Sequence, residues 1–295
     1  MRSTTLLLLA VLPASPPTMS HDPGPTVRRD VAIVAHRGAS ADAPENTLAA
    51  FRLGFEQGAH AVEGDFRMTR DGTVVAMHDD TLTRTTGDHR SLSEVSDEEL
   101  AALSVGNWGE WRGRGFDSER APTLSAALSI VPADRGFLIE VKDGPEIVRP
   151  ILEVLESTTV TADRITIIAF EPEVVAEFKR AAPERRVLLL RGFRRIEERW
   201  RPTVEEIVEL AGRIGADGVG VHANPDVVDE RFVETVRKAG LEIHVWTVND
   251  PALATRMRSI GVDSITTDRP AAIRAGAGDA STAEDEDRGG LDPDV

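Results

Sequence analysis

Between about residues 31 and 275, short β-branched runs alternate with amphipathic stretches, and that alternation does most to limit the folds open to the chain. The predicted strands are VAIVAH (31–36), AVEGDF (61–66), GFLIEVK (136–142), RITIIAF (164–170), RVLLL (186–190), DGVGVH (217–222), EIHVWTV (242–248) and SITTD (264–268). Predicted helices fill most gaps: 48–57 between Thr47 and Gly58, 123–131 opening at Thr123, 146–157, 172–181, 203–213, 229–239 before Gly240 and 250–259 before Gly261. An open doubly wound sheet shows the same order of elements. Eight strands in so short a chain match the size of a (β/α)8 TIM barrel better, and the count favours that fold.

One connection breaks the repeat. VVAMHD (74–79) is a ninth strand-like run, reached from strand two through TRDG (69–72). So short a link cannot make a parallel crossover, which needs about a dozen residues. It reads as a hairpin with a Gly-containing turn, running antiparallel and returning to the carboxyl end of strand two. His78 then arrives beside Glu63 and Asp65.

Residues 80–122 follow as a small insertion, with a capping box from Ser96 to Glu99, a short helix to about Leu103 and the Gly/Trp-rich VGNWGEWRGRGF. The insertion follows a strand's carboxyl end, the barrel face on which active sites are built, so it is a candidate lid or specificity element. The alternative is a surface excursion that Trp108 and Trp111 pack down.

Along a strand, residues i and i+2 face one side, so Glu63 points with Asp65, and Glu140 with Lys142. Three carboxylates converging on a barrel mouth are costly unless a cation neutralises them. With no cysteine in the chain, thiolate zinc sites and disulfides are excluded, and any metal is held by oxygen and imidazole. Magnesium or calcium suits such a set, with manganese open because of the nearby histidine. The competing explanation for Glu63 and Asp65 is an inward pair bridged to an arginine.

Strand one ends in His36-Arg37-Gly38, where Gly38 permits close backbone approach and Arg37 offers a bidentate fork for phosphate. Two imidazoles flanking a metal and two cations are the parts for acid–base cleavage of a phosphodiester. His60 is expected at the other end of the barrel, and His222 and His244 as packed or rim residues. Trp246 is read either as an apolar wall for an alcohol or as barrel filling.

These residues lie in motifs that together resemble the glycerophosphodiester phosphodiesterase family over nearly all of residues 32–270. AHRGASADAPENTLAAF is similar to its HRG and PENT elements, VEGDFRMTRDGTVVAMHDDTLTRTT to its ExD and HD elements, APTLSAAL to a helix start and FLIEVK to its ExK strand. VWTVND and ITTDRP resemble its closing elements. The resemblance implies a (β/α)8 barrel with a small insertion, a divalent metal, and hydrolysis to glycerol 3-phosphate and an alcohol. Carried over by motif, His36 and His78 are the acid–base pair, Glu63, Asp65 and Glu140 the metal ligands, and Arg37 and Lys142 the phosphate contacts. Trp246 lines the glycerol pocket, and Glu45 in PENT is an additional ligand or a support for the ligands. Two departures stand out: Gly64, which faces out of the barrel and is expected to loosen packing there, and Ser125 in place of an acid.

A lysophospholipase D-like action on a lipid diester is the runner-up, without a basic patch or long amphipathic helix to favour it. Glycoside hydrolysis leaves His36, His78 and Lys142 idle. A barrel that only binds needs a broken site, and no expected side chain is missing. A net charge of −16 and a pI near 4.9 argue against nucleic acid as a partner. The expected partner is a small-molecule diester.

The apolar run Leu6–Leu12 is too short to span a bilayer, so no stable membrane insertion is expected. Residues 1–30 read as a disordered extension or a thin signal peptide with no clean cleavage site, and Met19 offers another start. A cytoplasmic location is expected, with export as the alternative. Residues 31–275 form the catalytic domain, 276–295 an acidic disordered tail. Nothing in the sequence fixes an oligomeric state.

Overall fold

A computed structural model describes residues 31–275. The expected N-terminal extension and acidic tail lie outside the described residues. Eight parallel strands form the barrel: β1 Ala32–Ala35, β2 Ala61–Met68, β3 Gly136–Val141, β4 Ile165–Ala169, β5 Arg186–Arg191, β6 Gly218–His222, β7 Glu242–Trp246 and β8 Ser264–Thr267. Neighbours in sequence are neighbours in space. The cylinder closes where β1 pairs with β8 on one side and with β2 on the other, Val34 opposite Ala61 and Ala35 opposite Val62. All eight predicted strands are present, most trimmed by one or two residues at their ends.

Strand alternation sorts the two faces. Val62, Phe66, Phe137, Ile139, Ile167, Leu189, Val219, Ile243 and Ile265 are buried in the cluster shared with the surrounding helices. A smaller cluster of Val34, Ala61, Leu138, Ile168, Leu188 and Leu190 fills the interior. Glu63 and Asp65 continue the inward row of Ala61, and Glu140 continues that of Leu138. The inward carboxylates thus stand towards the carboxyl ends of the strands, while Thr166, His244 and Ser264 place polar groups deeper in the interior.

The helices open and close on ordinary signals. Thr47, Thr123, Thr203, Asp229 and Asp250 cap them with side-chain oxygens. The predicted helix 123–131 is shorter, Leu124–Ser129, and that of 146–157 begins as a 3-10 turn, Pro145–Ile147, before the α-helix Val148–Ser157. Gly64 corrects an expectation. A Cβ there would sit 2.9 Å from Phe51 Cζ and 3.2 Å from Phe66 Cε2, so the ring of Phe51 occupies the space and packing outside the barrel is tight.

The hairpin forms as read: Val74–Ala76 pairs antiparallel with β2, Phe66 opposite Ala76. Its far end continues into the insertion, which has its own apolar cluster of Val75, Met77, Leu82, Leu92, Val95, Leu100 and Val105. The capping box at Ser96 opens the helix Asp97–Ala102. Trp111 is buried edge-on to Phe116 at 5.8 Å, and half-buried Trp108 donates from Nε1 to Val105 O at 2.8 Å. A second hairpin, Arg194–Ile196 with Arg199–Arg201, was not expected, because its run of arginines and glutamates carries no apolar alternation.

Candidate active site

Glu63, Asp65 and Glu140 come together at the carboxyl ends of β2 and β3, with Asp65 directly opposite Glu140 in the ladder. One oxygen from each lies within 4.8 Å of the others, and all three residues are buried. Glu63 Oε2 accepts from Arg37 N at 2.8 Å. Asp65 is clamped by Asn46, whose Nδ2 donates to Oδ2 at 2.8 Å and whose Oδ1 accepts from Asp65 N at 3.0 Å. Arg37 Nε lies 3.1 Å from Asp65 Oδ2, and Lys142 Nζ lies 3.0 Å from Asp65 Oδ1 and also donates to Glu140. The Lys142 ammonium thus faces two of the three carboxylates as an ion-pair partner.

Electrostatics split the carboxylates. Burial, then repulsion from Asp65 and Glu140, raises Glu63 to about 8. Burial also pushes Asp65 up, but Lys142, Arg37 and the Asn46 hydrogen bond outweigh it and hold Asp65 at about 2. Glu140 is raised by burial and by Asp65.

The buried Glu63 Oε1 has neither a hydrogen-bond nor an ion-pair partner, and Asp65 Oδ1 meets only the Lys142 ammonium. An unpartnered acceptor inside an all-oxygen cluster is what a hard divalent cation satisfies, so the residues present fit such an ion. The rival explanation, an inward pair bridged to an arginine, is partly true of Arg37 but leaves Glu63 Oε1 unexplained.

The loop after β1 wraps this cluster. Arg37 and Asn46 both have positive φ, 55° and 58°, and Gly38 has φ 82°. A Cβ on Gly38 would come within 2.4 Å of Ala50 C, so only glycine lets the loop cross the helix Leu48–Glu56.

His36 stands at the end of β1, its Nδ1 2.6 Å from Asp268 Oδ1 just beyond β8. Asp268 also accepts from Ser40 Oγ at 3.0 Å and from Asn249 Nδ2 at 2.5 Å. Burial raises Asp268, but the hydrogen bond and charge of His36 and the bonds from Asn249 and Ser40 bring it down to about 2. An ionised carboxylate only accepts, so the proton between them sits on Nδ1 and Nε2 is the nitrogen left to react. Burial works against the imidazolium of His36, yet Asp268 and Glu63 prevail and raise it.

His78 is held in the same manner, with Nδ1 2.8 Å from Asp79 Oδ1. Its balance is opposite: burial and Arg37 lower it, and Asp65 only partly compensates. The hairpin therefore brings His78 to the carboxylates.

Glu45 stands outside the cluster of Glu63, Asp65 and Glu140. It accepts from Arg37 Nη1 at 3.0 Å and from both terminal nitrogens of Arg84 at 2.9 and 2.8 Å, and so supports Arg37. Half-buried Trp246 lies edge-on to Phe170 at 5.4 Å and to His222 at 5.7 Å, and Lys142 Nζ lies 5.8 Å from the Phe170 ring. His222 is exposed on the rim. His244 lies one layer deeper, bonded to Ser264 Oγ at 2.6 Å, and His60 Nδ1 accepts from Ile33 N at the opposite end. Sequence reasoning missed Asn46, Asp79, Arg84, Asn249 and Asp268, although each stands in a motif quoted above.

Fold and mouth together define an enzyme of the (β/α)8 class, with its polar apparatus confined to the carboxyl ends of the strands. The model of the glycerophosphoryl diester phosphodiesterase family matches residues 36–272, and the chain belongs to that family and is a glycerophosphodiester phosphodiesterase. A glycerophosphodiester phosphodiesterase of Caldanaerobacter subterraneus subsp. tengcongensis is 32% identical over 245 residues, 81% of this chain and 94% of that protein. Among solved structures, an Oleispira antarctica phosphodiesterase in complex with the product sn-glycerol-3-phosphate is 27% identical with a TM-score of 0.74, covering 83% of this chain and 96% of the other. A Thermotoga maritima glycerophosphodiester phosphodiesterase is 27% identical with a TM-score of 0.66, covering 84% and 98%.

Proposed function

We propose that the protein hydrolyses glycerophosphodiesters to glycerol 3-phosphate and an alcohol, with one divalent cation held by Glu63, Asp65 and Glu140 and with His36 and His78 as the acid–base pair. The observation that carries this is the buried cluster of Glu63, Asp65 and Glu140 with its unpartnered Glu63 oxygen, accompanied by two imidazoles whose surroundings push them in opposite directions. When bound, such an ion polarises a phosphoryl oxygen and offsets the developing charge. Magnesium or calcium suits the oxygen donors, and manganese is the third candidate.

The chain supplies the remaining chemistry. Arg37 and Lys142 bind and orient the non-bridging phosphate oxygens, Arg37 with one arm of its fork held by Glu45. His78, lowered and neutral at pH 7, takes a proton on Nε2 from the attacking oxygen. His36, raised and anchored by Asp268, gives its Nε2 proton to the departing alkoxide. Each transfer supplies roughly 10²–10⁴-fold. Trp246 and Phe170 form the apolar wall beside the phosphate and shield the glycerol from water.

The catalytic unit spans residues 31–275, and its proposed place of action is the cytoplasm, to be tested by cell fractionation. No helix among the described residues is long and apolar enough to cross a membrane.

The test is release of glycerol 3-phosphate from glycerophosphocholine and glycerophosphoethanolamine after EDTA treatment, then with magnesium, calcium or manganese added back. Metal-restored turnover is expected, with loss in His36→Ala and His78→Ala. A folded protein that cleaves neither diester under any of the three ions, yet cleaves lysophosphatidylcholine, refutes the substrate assignment in favour of a lipid diester.

A further inference from the structure

Arg84 belongs to the insertion, not to the barrel. It sits in the single helical turn Thr83–Thr86, next to Leu82 in the insertion's apolar cluster. Its guanidinium grips two carboxylates. Nε and Nη2 donate to Asp79 Oδ2 and Oδ1 at 2.7 and 3.1 Å, while Nη1 and Nη2 donate to Glu45 Oε2 and Oε1 at 2.9 and 2.8 Å. Each carboxylate has a second commitment inside the site: Asp79 Oδ1 to His78 Nδ1 at 2.8 Å, and Glu45 Oε1 to Arg37 Nη1 at 3.0 Å. The Trp108 ring lies against the same guanidinium, its centroid 4.9 Å from Cζ.

We propose that Arg84 is a positioning residue for the reaction, setting the ring of His78 through Asp79 and the fork of Arg37 through Glu45, so that the insertion forms part of the catalytic apparatus. The proposal rests on the roles given above to His78 and Arg37. The hydrogen bonds of the Arg84 guanidinium go to Asp79 and Glu45, and it acts through these two partners.

Geometry, more than energy, makes the case. Arg84 is over a third exposed, a setting in which ion pairs add little to stability. What it adds is direction, because a planar fork engaging both oxygens of two carboxylates fixes their rotation, and a lysine's single ammonium cannot. Without it, Asp79 is free to turn from Nδ1 of His78. The ring is then free to turn as well, and the neutral tautomer that leaves Nε2 bare loses its anchor. Asp79 agrees with this order of influence: the hydrogen bonds from Arg84 are the largest cause of its depression to about 2, ahead of the bond to His78.

The experiment compares full-length wild type, Arg84→Lys, Arg84→Ala, Asp79→Asn and the double variant Arg84→Ala/Asp79→Asn. Arg84→Ala is expected to lose on the order of 10²-fold in kcat, the cost of a catalytic group displaced by roughly 1 Å, and to gain in KM as Arg37 loosens. Its melting temperature should fall by about 3 °C at most, since a surface pair holds little stability. Arg84→Lys should recover little of the loss, and methylguanidinium in the buffer should restore part of the activity of Arg84→Ala but none to His78→Ala. The double variant should be no slower than the worse single one.

Wild-type kinetics in Arg84→Ala, full recovery in Arg84→Lys, or losses that multiply in the double variant overturn the proposal. If Arg84→Ala does not fold, Arg84→Lys carries the same comparison with the charge retained. A further readout needs no turnover: 1H–15N correlation of the imidazoles should give His78 a single Nδ1–H tautomer in wild type and a mixed one in Arg84→Lys. An inactive wild type with that tautomer change refutes the assigned substrate and keeps Arg84 as the residue that sets the ring. A tautomer unchanged between the two overturns the role of Arg84.

Discussion

Proton competition at Glu63 should make metal binding strongly pH-dependent. Its pKa is raised to about 8, so in the ion-free protein at pH 7 about nine chains in ten carry a proton there. A divalent cation takes the carboxylate form, so binding expels about 0.9 proton from Glu63 at pH 7, with Glu140, also raised, adding to the release. Between pH 8 and pH 6 the dissociation constant should rise at least about 50-fold. Titration calorimetry with manganese at pH 6, 7 and 8, in buffers of different ionisation enthalpy, reads both the affinity and the proton release.

Stability carries the matching sign. A carboxyl raised above its ordinary 4.5 gives a contribution that is complete below that value and is lost as pH climbs through about 8. The melting temperature of the EDTA-treated protein should therefore decline from pH 5 to pH 8, and the added cation should restore most at the alkaline end. Asp65, depressed to about 2, acts in the opposite direction and only in strong acid. Manganese binding that is independent of pH and releases no proton would refute the burial argument for Glu63.

Three other substitutions probe separate parts of the site. Asp268→Asn removes the ionised acceptor of His36, and kcat should fall about 10²-fold or more with little change in KM. Because Asp268 is one of the groups that raise His36, the alkaline limb of the pH–rate profile should move to lower pH in the same variant. Trp246→Ala deletes the wall shared with Phe170 and His222, and KM for glycerophosphocholine should rise about tenfold or more, read from initial rates. Gly38→Ala forces a Cβ against the Ala50 backbone at a φ of 82°, and denaturant unfolding should report a loss of about 2 kcal/mol or more.

The barrel was legible because its physics is local. Eight β-rich runs, most followed by a helix and five of those helices opened by a Thr or Asp cap, specify parallel strands without any long-range knowledge. Inward placement of Glu63, Asp65 and Glu140 follows from period-two alternation, and the return of His78 follows from a linker too short to cross over. The anchors of the histidines were not legible, because His36 and Asp268 are 232 residues apart and meet only when the cylinder closes. Glu45 was assigned to the ligands or their support from its motif alone. Its bonds to Arg37 and Arg84 appear only in the folded barrel, because Arg84 lies 39 positions away. Gly64 misled in the opposite direction: a missing side chain implies looseness until the ring of Phe51, thirteen positions earlier, is found in its place.

The closure of the barrel has a consequence for how the protein comes into being. A chain leaving the ribosome delivers His36, the three carboxylates and His78 within its first half, but Asp268 and Asn249 emerge near the end. Until β8 docks between β7 and β1, His36 has no acceptor for Nδ1 and the strands on either side of it have no seam to share. A chain clipped before β8 holds nearly every reactive group yet lacks the anchor of His36, so its turnover is expected to fall at least as far as that of Asp268→Asn.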